Sequence, residues 1–148
     1  MMLDNKKITK DIKKVIKLFN KYSKHNKAQL LSISLSNNDT NNALAIAACI
    51  ISQSCNVQIS NEHIEAAIYA INGNFTQLDN FNNQKIVAAL VAFVNALNKK
   101  KTYLVSSTND KAEEQLLFCK HCFDGFDFTF GSDYKCDVVC ISAQQLCR

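Results

Sequence analysis

Four cysteines form the chain's sharpest chemical pattern. Cys119-Lys120-His121-Cys122, followed by Cys136 and Cys140, reads C-x₂-C-x₁₃-C-x₃-C. This is near the ligand spacing of a tetrahedral zinc site, in which four thiolates, or three with His121, hold the metal. On that reading the protein is a small zinc-stabilised binding module. The second pair argues the other way. Asp137-Val138-Val139 between its cysteines has strand composition, and cysteines four apart on one strand share a face but lie about 13 Å apart, too far for one ion. The competing expectation is buried reduced thiols, as for Cys49 and Cys55 in an apolar helix. A third chemistry is a thiol hydrolase, with Cys122 activated by His63 or His121. Glu62 with Glu65 and Glu113 with Glu114 have the spacing of a solvated helix face, and neither pair suggests a general acid.

The chain that must position these groups has 148 residues, room for one domain of ordinary size. Hydrophobic residues make up 47% and charged ones 20%, so a globular core is expected in place of a disordered tail or coiled coil. The longest uncharged apolar stretch, Ile86 to Leu97, is twelve residues with Asn95 inside it. Crossing a bilayer takes about 20, so no transmembrane segment is expected. The lysine-rich start lacks the apolar segment and cleavage site of a signal peptide. Seven cysteines, an odd number, then favour reduced thiols or a metal over a disulfide framework, and the expected location is cytoplasmic. Seventeen Asn, sixteen Lys against one Arg, and no Pro or Trp fit the codon usage of an AT-rich genome, as in a low-GC bacterium.

The net charge of +4 is unevenly spread: residues 1–28 carry +7 and the remainder −3. Within the basic segment Ile8, Ile12, Val15, Ile16 and Phe19 recur at helical spacing. This predicts a helix with an apolar stripe and a broad lysine face. Lys6, Lys10, Lys13, Lys14, Lys17 and Lys21 are the partner-binding candidates on that face, suited to an acidic surface. They are not interleaved with stacking aromatics, so nucleic acid is not an expected partner.

Past this helix, residues 29–148 read as one domain. Leu31, Ile33 and Leu35 alternate as in a short strand, or else close a helix. Thr40 or Asn41 is expected to cap an apolar helix over Ala43 to Ser54. A second helix is predicted over Asn61 to Ile71, ended by a left-handed residue in Asn72-Gly73-Asn74, with a short strand at Phe75 to Leu78. An Asn-rich turn at Asn80 to Gln84 precedes a helix over Lys85 to Asn98, apolar nearly all round. Strands are predicted at Thr102 to Ser106, Phe126 to Phe130 and Cys136 to Ile141, with a helix over Asn109 to Cys122. Strands alternating with helices give the fold class as α/β with a parallel sheet flanked by helices.

In the order of these segments, residues about 44–146 resemble the first motor domain of SecA, the preprotein-translocating ATPase with a DEAD-box-helicase-like fold. The resemblance runs through Tyr69 to Leu78, Ile86 to Leu97, Tyr103 to Asp110, Phe126 to Gly131 and Cys136 to Cys140. It implies a partial RecA-like sheet preceded by a basic helix. It also implies where nucleotide chemistry would sit. The family's phosphate loop "TGEGKT" falls on Asn80-Phe81-Asn82-Asn83-Gln84-Lys85, and His63 stands in place of an adenine-reading Gln. Phe81 and Asn83 replace glycines, Gln84 the phosphate lysine and Lys85 the magnesium-binding hydroxyl.

The resemblance therefore implies a fold without its activity, because function belongs to the site. No cofactor is expected. The expected role is a non-catalytic pseudo-motor that binds a protein partner or a second copy of itself, or a fragment of a longer protein. Weak nucleotide binding is a further alternative.

Overall fold

The structure, a computed structural model, describes residues 5–37, 39–73 and 80–146. Its first half is helical: α1 (Asn5–Tyr22), α2 (Lys27–Ser36), α3 (Thr40–Cys55), α4 (Asn61–Ile71) and α5 (Phe81–Leu97). Its second half alternates: β1 (Thr102–Ser106), α6 (Asn109–Cys122), β2 (Phe130–Gly131), β3 (Val138–Ser142) and α7 (Ala143–Leu146). The fold is mixed α/β, with a small parallel sheet flanked by helices. Among the described residues no helix is long and apolar enough to cross a membrane.

The core is built around α3, buried at every residue from Asn42 to Ile51. Its alanines, Ala43, Ala45, Ala47 and Ala48, let neighbouring helices approach closely, and α1, α2, α5 and α6 all pack on it. The apolar stripe of α1 docks as its spacing predicts. Ile8, Val15 and Tyr22 are buried while Ile12, Ile16 and Phe19 pack partly against the same cluster. Polar contacts pin the docked helix. Tyr22 donates its hydroxyl to Asn42 Oδ1 at 2.5 Å, and Asn41 Nδ2 donates to Asp11 at 3.2 Å.

Of the two expectations for residues 30–35 the structure shows the helix: Asn26 and Gln29 form a reciprocal capping box that starts α2, and its buried residues are Leu30 and Ser34, one helical turn apart. A correction concerns the start of α3. The N-cap of α3 is Asp39, so Thr40 and Asn41 lie inside the helix and cap nothing. Gly73, at φ +85°, supplies the left-handed residue after α4. The predicted strand at Phe75 to Leu78 and Asn74 of the predicted turn lie outside the described residues.

In the sheet the order is β1-β3-β2, all parallel, with Thr102 opposite Val138 and Phe130 also opposite Val138. The central strand β3 is wholly buried. A second small cluster joins Ala92 and Ala96 of α5 to Val138 and Cys140, with Leu104 packed against it. Two predicted strands are shorter than expected. Of Phe126 to Phe130 only the last residue pairs, because the chain turns at Gly125 (φ +95°) and Phe126 and Phe128 are drawn onto Phe93. Cys136 belongs to a turn, its N–H bonded to Asp133 O at 3.0 Å, and the strand begins at Val138. At Gly131 a Cβ would stand 2.7 Å from Cys136 Sγ, so any larger residue there would push the cysteine side chain aside.

Candidate functional site

The positions tied to nucleotide chemistry gather where α4, α5, β1 and α6 meet. The Asn-rich segment is not a turn beyond its first residue. Asn80 is the N-cap of α5, and Phe81 to Lys85 form the opening of the helix. A bare helix N-terminus offers its backbone N–H groups to anions. Here the side chain of Asn80 takes the Asn83 N–H at 2.9 Å, satisfying one of those groups internally.

His63 is held just as firmly. Ser60 caps α4, and the Ser60 N–H donates to His63 Nδ1 at 3.0 Å, which leaves the ring proton on Nε2. That proton is donated to Asn83 Oδ1 at 2.8 Å. His63 and Asn83 thus satisfy each other. The SecA resemblance points to both residues but does not show that they bond across twenty positions.

A cleft of about 240 Å³ is lined by α5 (Phe81, Gln84, Ala88), β1 and the residues after it, and α6 (Lys111, Gln115). Phe81 stands in the wall of this cleft. Lys111 and Lys85 lie 5.4 and 5.8 Å from its ring centre, and Lys85 also stands 5.1 Å from that of Phe118. Lys85 is therefore engaged with aromatic faces. Gln115 donates to Lys85 O at 3.1 Å, tying α6 to the first turns of α5. None of the described residues lining the cleft is acidic.

A titration follows from this geometry. With Mg²⁺ and ATP, calorimetry is expected to show no saturable binding below millimolar nucleotide, because Asn80 and His63 already engage the Asn83 backbone and side chain at this helix start. Micromolar affinity overturns this account.

The cysteines proposed as zinc ligands are distributed over two pairs and a turn. Cys119 is paired with Cys140, both as free thiols, Cys122 faces Cys55 with the sulfurs 3.1 Å apart, and Cys136 stands by Gly131. Among the described residues no three His, Cys, Asp or Glu side chains are grouped to hold a metal ion. The bond to Cys140, with burial added, raises the Cys119 thiol well above its usual range, whereas accepting that bond lowers Cys140. Burial raises Cys122, with the bond to Cys55 adding to it. Burial alone pushes Cys49 up to about 12. Neither histidine considered as a base for Cys122 is aimed at it: His63 is committed to Ser60 and Asn83, and His121 Nε2 donates to Ser54 O at 2.9 Å.

All six candidate lysines of α1, from Lys6 to Lys21, are exposed on the side away from the docked stripe. A further exposed feature is β1, where Tyr103 and Val105 are 48% and 47% accessible at the edge of the sheet. No protein-family model and no curated protein matches the chain.

Proposed function

We propose that the chain is a non-catalytic pseudo-motor domain, similar to the first motor domain of SecA, that works in the cytoplasm by binding an acidic protein partner or a second copy of itself. The observation that carries this reading is the open edge of β1. A parallel sheet is normally covered on both faces and protected at its edges. Here the central strand is fully buried, while Tyr103 and Val105 on the neighbouring strand stay exposed and, among the described residues, β1 has a single strand neighbour. An extended segment from a partner can add to such an edge through backbone hydrogen bonds. The lysine face of α1 and Lys99, Lys100 and Lys101 just before β1 favour acidic partners by steering their approach. The internally satisfied nucleotide positions are consistent with the loss of catalysis.

The test is a photo-reactive benzoylphenylalanine in place of Tyr103, irradiated in the source cells. A covalent adduct at this position is expected, and Val105→Lys in the same chain is expected to abolish it. Its mass separates a second 16.6 kDa copy from another protein. Absence of any adduct, or an adduct indifferent to Val105→Lys, overturns the reading.

A further inference from the structure

Cys55 is the last residue of α3 and Cys122 the last of α6, and their sulfurs are 3.1 Å apart across 67 positions of sequence. A second contact sets the same junction one residue earlier on each helix, where His121 Nε2 donates to Ser54 O at 2.9 Å. The two helix ends are thus held together at two points. A disulfide needs its sulfurs at about 2.05 Å, so closure requires an approach of about 1 Å. Both cysteines sit where a helix ends: Asn56, in the left-handed conformation, follows Cys55, and the cap Phe123 follows Cys122. Helix ends adjust more readily than helix interiors.

We propose that Cys55 and Cys122 form a reversible intramolecular disulfide by exchange with a low-molecular-weight disulfide, locking the end of α3 to the end of α6. Solvent reaches Cys55, which is partly exposed, while Cys122 is fully buried. Cys55 as thiolate attacks one sulfur of the small disulfide, whose S–S bond breaks and releases the first small thiolate. Cys122 loses its proton to solvent and attacks the Cys55 sulfur of the mixed disulfide, expelling the second. Two protein thiols are oxidised, one small disulfide is reduced to two thiols, and no other oxidant is consumed. Burial keeps the Cys122 proton in place at neutral pH, so the second step is the slow one and quickens as pH rises.

The pair Cys119 and Cys140 is the internal comparison. Both are buried, Cys119 completely, and Gln115 donates to Cys119 at 3.5 Å, so a small disulfide reaches this pair less readily than Cys55. The proposed bond would join α3 of the helical half to α6, which packs on the sheet. It does not depend on the pseudo-motor reading.

The experiment exposes the folded chain to oxidised glutathione, quenches with acid and measures intact mass and cross-linked peptides. The expected product is lighter by about 2 Da and yields a peptide joining Cys55 to Cys122. The thermal midpoint should rise by roughly 10 °C, because the closed loop is long, and return with dithiothreitol. Cys55→Ser is expected to abolish the product while leaving the fold intact by circular dichroism. The double variant Cys119→Ser, Cys140→Ser is expected to keep it. A first cross-link between Cys119 and Cys140, a stable glutathione adduct on Cys55, or no product from folded protein overturns the proposal.

Discussion

Replacing Phe93 with alanine is expected to cost about 4 kcal/mol and to lower the thermal midpoint by roughly 10–20 °C. Phe93 lies on α5, fully buried, and its ring meets Phe123, Phe126 and Phe128 at centroid distances of 4.8, 5.1 and 5.7 Å. Phe123 in turn stacks on Phe130 at 5.8 Å. Edge-to-face and tilted contacts of this kind add to the area each ring buries. The cost should exceed simple transfer because the remaining rings come from a segment with little regular pairing of its own. Without Phe93 the stretch from Phe123 to Phe130 loses the partner common to three of its rings. Phe93→Leu, which keeps most of the volume, is expected to recover more than half the loss. Urea unfolding followed by circular dichroism measures both. A loss under about 1 kcal/mol for the alanine variant would mean that the aromatic group is not the joint between α5 and the chain approaching β2.

The second large effect concerns α1. Val15→Asp is expected to leave no soluble folded protein, because Val15 is fully buried and an unpaired carboxylate there costs several kcal/mol of a total that is typically 5–15. Deleting residues 1–28 is expected to cause aggregation for the same reason. The deletion uncovers part of α3 and α4 and removes the Tyr22 hydroxyl from the buried Asn42 amide. Lys13→Glu and Lys17→Glu, on the exposed side, should shift stability by no more than about 0.5 kcal/mol. Solution mass and solubility read these outcomes. A stable, unchanged monomer after the deletion would show that the helix covers nothing.

The elements readable in the sequence are those whose start, stop and periodicity are written locally. The ranges Asn61–Ile71, Thr102–Ser106 and Asn109–Cys122 agree with the structure because Ser60 and Thr108 cap and Gly73 stops the first helix. The stripe of α1 was readable for the same reason. Alternation left Leu31, Ile33 and Leu35 open between strand and helix, since the signal that decides α2 is the capping box upstream. It misled at Phe126 and Phe128, where the attraction is to Phe93 and not to a neighbouring strand.

Pairings between distant residues were beyond any spacing argument. Cys122 lies 67 positions from Cys55 in the chain yet adjacent to it in the fold. His63 drew attention through the SecA resemblance, but its bond to Asn83 depends on how α4 meets α5, which no local pattern encodes.

The strand order has a temporal meaning. β3 follows both β1 and β2 in the chain but lies between them, and just six residues return it from the end of β2, a connection allowed by a β2 only two residues long. During synthesis β1 and β2 therefore leave the ribosome before the strand that bridges them exists. The mutual contacts of α1, α3, α4 and α5 are all available once residue 97 has emerged. Vectorial assembly thus builds the helical half first, and the sheet closes by insertion of its middle strand, so nascent β1 carries two unpaired edges until β3 arrives.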